Sequence, residues 1–323
     1  MKAVSYADGK VKTSEIQKPS GEGVLVDIQS AGICGSDLHL LEAGAHSPHV
    51  AGHEISGITK NGKHVAIEPI IPCSDCEHCH SENYHLCKNE SKGMGMSING
   101  GMAEQMIVPE SCLIELDTKV PIKDACLVEP IAVALHGLIQ TQTKEHHKIA
   151  VIGGGTIGLC TVVAAKFMGC KVDLYAKYDH QKEAGLKLGA GIVNGSYDRV
   201  VDCVANETTL NLSAKHAKPG SWIVILGIPM KGINLPGLKI IMNEIKVFPS
   251  IMYSSVDGVK DFLIAAKVIA KYPKIGETII THRFHLDDSE EAFSVAGDKT
   301  SECIKVVFDP ALKKCLLIRS FLQ

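Results

Sequence analysis

Four thiols stand close together in one polar stretch: Cys73, Cys76, Cys79 and Cys87, with Asp75, Glu77, His78 and His80 between them. Cysteine is usually a small buried hydrophobe, but a segment this polar cannot bury four of them as core. It can wrap them around a tetrahedral zinc ion, each thiolate a ligand and each two-residue gap a backbone turn. Such a site is closed, with four sulfurs and no open position, so it is structural and the chemistry lies elsewhere. Disulfides are the alternative and would suit a secreted chain. The N-terminal residues Met1-Lys2-Ala3-Val4-Ser5-Tyr6-Ala7-Asp8-Gly9 contain no apolar export segment, which points to a reducing cytoplasm and metal ligation.

Cys34, His53, Glu54 and Glu129 form a second, more dispersed set. A catalytic zinc takes about three protein ligands and leaves one position open. Taken singly, Cys34 reads equally as a buried thiol and His53 as a core histidine. Glu129 is less easily dismissed: it sits within an apolar run of helical spacing, residues 123–139, where an unpaired buried carboxylate is costly. A metal ion would partner it.

A third signal is Lys148-Ile149-Ala150-Val151-Ile152-Gly153-Gly154-Gly155-Thr156-Ile157-Gly158, a strand running into Gly-x-Gly-x-x-Gly and then a helix. Gly153 permits the tight turn, Gly155 lets the backbone approach a pyrophosphate, and Gly158 lets helix meet strand. The helix opening at Thr156 and Ile157 aims its unpaired N–H groups at the phosphates. An NAD site wants a carboxylate at the end of the next strand, about 20 residues on. Here Ala176 holds that place and Lys177 follows, so the sequence predicts NADP(H) over NAD(H). Asp179 folding back onto the ribose would reverse this.

These groups need two kinds of scaffold. Residues up to about 120 read as short strands punctuated by glycine and proline, a barrel-like β unit. From Lys148 strands and helices alternate, which predicts a doubly wound parallel sheet. Strand character returns over 277–284 and 303–308. The expected division is 1–135, carrying the cysteine lobe at 73–87, then a nucleotide-binding domain at 136–272, then a return to the first domain at 273–323. The 323 residues suit two domains, a net charge of −3 argues against nucleic acid or an anionic membrane as partner, and no apolar run is long enough to span a bilayer.

In this combination the chain resembles the zinc-dependent medium-chain alcohol and polyol dehydrogenases. The resemblance rests on Gly32-Ile33-Cys34-Gly35-Ser36-Asp37-Leu38-His39, Gly52-His53-Glu54, the four-cysteine lobe, Val128-Glu129-Pro130 and the nucleotide motif, in the family's order over nearly the whole chain. Val65-Ala66-Ile67-Glu68-Pro69 and Leu127 lean towards its sorbitol, threonine and butanediol branch.

The resemblance implies a GroES-like catalytic domain beside a Rossmann domain, and two zinc ions per chain. It implies hydride transfer between a secondary alcohol or polyol and NADP(H), with an NAD-linked enzyme or a non-catalytic NADPH-binding zinc protein as alternatives. Cys34 and His53 would hold the catalytic ion, with Glu54 or Glu129 completing the shell. Ser36 would take the substrate proton, His39 would pass it to solvent, and Asp37 would orient His53. A homodimer or homotetramer is implied. Polyol members often carry an arginine where Met252 precedes Tyr253, which weakens a sugar-alcohol assignment. The tail 311–323 extends past the usual family end and reads as a packing helix or a loose terminus.

Overall fold

The computed structural model describes residues 1–312 apart from 8, 90, 230, 231 and 299, so what was expected of the tail beyond Leu312 lies outside the described residues. Six parallel strands form one sheet. In spatial order they are Gly191–Ile192, Lys171–Tyr175, Lys148–Ile152, Tyr197–Asp202, Ala217–Ile225 and Lys246–Pro249. In chain order this is 3-2-1-4-5-6, the doubly wound arrangement, with its switch point between Lys148–Ile152 and Tyr197–Asp202.

The strands are apolar because both faces are covered. The helices Val128–Gln140, Thr156–Phe167 and Asp261–Lys271 share one core with Val151 and Val201. Leu210 and Ala214 of the helix Glu207–His216 cover Ala150 and Ile152 on the other face.

The first unit is a seven-stranded, mostly antiparallel sheet. Its path runs Ile280–Phe284, Lys305–Phe308, Val24–Gly32, Glu54–Thr59, His64–Ile67, Leu113–Glu115, with Gln105–Val108 also paired to Val24–Gly32. The last two strands of the chain therefore do rejoin it. The strand expected from residue 277 begins only at Ile280. Gly276–Ile279 is helical, and Gly276 lies directly under Asp124, whose carboxylate is held by Arg283.

Residues 123–139 divide into a 3-10 stretch, Ile122–Leu127, and the α-helix Val128–Gln140. The helix expected over 180–188 spans Asp179–Lys187. Among the described residues no helix is long and apolar enough to cross a membrane.

Candidate metal centres and dinucleotide cradle

The four lobe thiols converge. All four sulfurs lie within 4.8 Å of one another, with Cys73–Cys79 at 3.8 Å and Cys76–Cys79 at 3.5 Å. Two sulfurs each about 2.3 Å from one zinc at the tetrahedral angle stand about 3.8 Å apart, whereas a disulfide needs about 2.05 Å. The donor set fits a four-thiolate zinc site, and no disulfide is present among the described residues. The backbone N–H of Asp75 points at Cys73 Sγ and helps draw that thiol down to about 7, while burial pushes Cys79 up to about 12.

The second set is assembled by strand pairing. Gly32 faces Glu54 across the ladder, so Cys34, just beyond one strand, and His53, just before the next, leave the same end of the sheet. Cys34 Sγ, a His53 ring nitrogen and a Glu54 oxygen come within 4.8 Å of one another. Gly32 is required here, because a Cβ would sit 2.0 Å from Glu54 Oε2. Cys34 is the N-cap of the helix Gly35–Glu42, and its N–H donates to Asp37 Oδ2 at 2.8 Å. Asp37 Oδ1 accepts from Tyr6 at 2.8 Å.

Asp37 was expected to orient His53. It stands beside the ring at 3.9 Å, beyond hydrogen-bond reach, and its oxygens serve Tyr6 and Cys34 instead. Its effect on His53 is electrostatic. Burial opposes the imidazolium, but Asp37, Cys34 and Glu129 outweigh it and raise the pKa well above its usual value.

The two glutamates differ. Glu54 is buried, and both its oxygens lie 2.7 Å from Lys305 Nζ, which also donates to Ile33 O. Burial works against the Lys305 charge, but Glu54 more than offsets it. Glu129, equally enclosed, makes no hydrogen bond or ion pair among the described residues, and burial pushes its carboxyl up to about 7. Ser36 Oγ, His39 Nδ1 and His53 Nδ1 are buried without a hydrogen-bond partner. Orphaned polar atoms of this kind cost about 1–3 kcal/mol each, so three gathered around one set of metal donors fit a site built for ligands.

The dinucleotide cradle lies at the switch point. Gly153 has φ +109°, and its N–H donates to Tyr175 O at 2.8 Å. A Cβ on Gly158 would lie 1.8 Å from Gly153 O, while one on Gly155 would meet nothing within 4 Å. Gly158 thus closes helix onto strand, and Gly155 leaves open space for a phosphate. Thr156 Oγ1 donates to Ile304 O at 2.7 Å, and Ile157 packs against the core. Ala176 is buried at the strand end, and Lys177 is exposed with its ammonium 5.5 Å above the Tyr178 ring. Asp179 pairs with Lys182 at 2.8 Å rather than folding back.

Sequence reasoning missed Lys305. Its only signal is a cation inside the apolar run Ile304-Lys305-Val306-Val307-Phe308.

Comparison with known proteins agrees with this geometry. Residues 20–118 match a model described as Alcohol dehydrogenase GroES-like domain, and 156–270 match one described as Zinc-binding dehydrogenase. D-xylulose reductase A of Aspergillus oryzae is 30% identical over 308 residues, covering 84% of this chain and 85% of that protein. Sorbitol dehydrogenase of Bacillus subtilis is 27% identical, covering 93% and 94%. A solved structure described as a putative zinc-binding dehydrogenase from Sinorhizobium meliloti 1021 bound to NADP superposes with a TM-score of 0.84 at 27% identity, covering 96% of this chain and 99% of that one.

Proposed function

Because this chain belongs to the zinc-binding medium-chain alcohol and polyol dehydrogenases, we propose that it interconverts a secondary alcohol or polyol and its ketone using NADP(H). Oxidoreductase action on an alcohol group follows from the family; the choice of dinucleotide and the residue roles are this proposal's own. The observation that carries it is the meeting of Cys34 and His53 beside two buried glutamates, at the sheet end that faces the Gly-x-Gly-x-x-Gly turn through Thr156 and Ile304.

Cys34, His53 and Glu129 hold the catalytic zinc. Glu54 lies within reach, but Lys305 already neutralises it, whereas Glu129 is a buried carboxyl with no other cation. When bound, the ion supplies Lewis acidity that lowers the pKa of the substrate hydroxyl. Ser36 Oγ, buried and unpartnered, accepts the hydroxyl proton. His39, whose Nδ1 is also without a hydrogen bond, carries it towards solvent. Gly153, Gly155 and the helix start at Thr156 and Ile157 hold the pyrophosphate, and Ala176 leaves room for a 2′-phosphate that Lys177 pairs. A second zinc in the Cys73, Cys76, Cys79 and Cys87 lobe is structural, stable in a cytoplasm that keeps those thiols reduced.

The assembly is a homo-oligomer joined through the nucleotide domain. Lys246–Pro249 is an edge strand with a partner on one side, and Leu238, Ile241 and Met242 beside it are 73–78% exposed.

The test is turnover of a panel of secondary alcohols and polyols by the purified protein with NAD⁺ and NADP⁺. Reduction of NADP⁺ by at least one secondary alcohol is expected. Comparable or better reduction of NAD⁺ would defeat the dinucleotide assignment, and no turnover of any alcohol would defeat the whole reading.

A further inference from the structure

The cysteine lobe does more than fold on itself. Its residue Glu82, in the left-handed region at φ +62°, reaches the turn between Tyr253 and Asp261. Glu82 O accepts the Ser254 hydroxyl and, at 3.3 Å, the Ser255 N–H. Glu82 Oε1 accepts the Gly258 N–H at 2.6 Å. Gly258 itself is left-handed, at φ +75°, as are Met252 at φ +58° and Asp257 at φ +52°. Non-glycine residues hold such conformations only where surrounding contacts impose them.

The same turn is gripped from the opposite side. Ser254 N–H donates to Asp261 Oδ2 at 2.8 Å, and Asp261 N–H returns a bond to Ser254 O at 2.9 Å. Asp261 Oδ2 also pairs with His136 Nδ1 at 2.8 Å, and the His136 ring meets the lobe's His85 edge-on at 4.7 Å. Ser254 is thus clamped between the lobe and the nucleotide domain. Tyr253, the residue before it, is buried edge-on against Phe262 with ring centroids 4.7 Å apart. Its hydroxyl makes no hydrogen bond among the described residues, and it feels the charges of Glu129 and Cys34.

We propose that Glu82 is a positioning residue, which fixes the 252–258 turn from the four-cysteine lobe and so sets Tyr253 against the substrate in the candidate metal centre. This rests on the alcohol-oxidoreductase reading above. Removing the Glu82 side chain frees the turn and weakens substrate binding through Tyr253, leaving hydride transfer and dinucleotide binding intact.

The experiment compares the zinc-loaded full chain with Glu82→Ala and Glu82→Gln, whose amide oxygen still accepts from Gly258. Glu82→Ala is expected to raise the alcohol KM about tenfold, with kcat and the dinucleotide Kd within about twofold, and to speed amide exchange over 252–258. Glu82→Gln restores both. Unchanged exchange overturns the proposal, and so does faster exchange with an unmoved KM. If the wild-type protein oxidises no alcohol, the function reading fails separately. Exchange alone then decides: protection lost in Ala and kept in Gln supports the role, and equal protection in all three overturns it. Should Glu82→Ala not fold, Ser254→Ala removes the hydroxyl given to Glu82 O and is read by the same measurements.

Discussion

Lys305 Nζ lies 2.7 Å from each carboxylate oxygen of Glu54, both side chains buried. Removing one partner of a buried pair leaves an uncompensated charge, at a cost of about 3–5 kcal/mol. Lys305→Ala is therefore expected to lower the denaturant midpoint substantially. Lys305→Met combined with Glu54→Gln, which leaves no net charge behind, recovers part of the loss. Equal midpoints for wild type and Lys305→Ala would mean that the pair contributes nothing.

The metal content separates the two centres. The purified chain is expected to hold two zinc ions. Cys34→Ser and Glu129→Gln each lose one ion and turnover with it, yet keep dinucleotide affinity. Glu54→Gln keeps both ions, because its carboxylate serves Lys305. Loss of zinc from Glu54→Gln but not from Glu129→Gln would exchange the roles of the two glutamates.

Lys177 carries the dinucleotide preference. With Asp179 paired to Lys182, it is the charged neighbour of Ala176 left to meet a 2′-phosphate. Lys177→Ala should raise the NADPH Kd about tenfold and leave NADH within about twofold, as titration by cofactor fluorescence would read. An equal effect on both cofactors removes Lys177 from that site.

The glycine of the cradle is a steric matter. A Cβ at Gly158 would lie 1.8 Å from Gly153 O, against backbone that cannot step aside. Gly158→Ala is expected to cut the affinity for both dinucleotides at least tenfold, by calorimetry, while leaving the lobe zinc in place. Unchanged affinity would show that the helix shifts without cost.

The exposed apolar strip predicts an oligomer. Leu238→Asp with Ile241→Asp should shift the sedimenting species to the monomer, since charge on a strip meant for burial opposes association. A wild-type chain that already sediments as a monomer would refute the assembly.

The doubly wound sheet was legible because its signals are local: an apolar strand, a glycine turn and a helix in immediate succession. The cysteine lobe was legible for the same reason. The catalytic set was visible as residue types, but Cys34 and His53 meet only through the Gly32–Glu54 register, which no spacing reveals. Lys305 and Glu82 escaped altogether. Each acts across hundreds or scores of residues, on Glu54 and on Gly258, and nothing beside either in the sequence marks its partner. Asp37 was placed in the right neighbourhood with the wrong hydrogen bonds, because helix capping of Cys34 competes for the same carboxylate.

The strands Ile280–Phe284 and Lys305–Phe308 belong to the sheet that begins with Val24–Gly32. A ribosome therefore delivers the whole nucleotide-binding unit before the catalytic unit has its final strands. Until then Glu54 has no ammonium to meet and Thr156 no carbonyl to hold, so the reactive centre is finished among the last acts of synthesis, on a partner already folded.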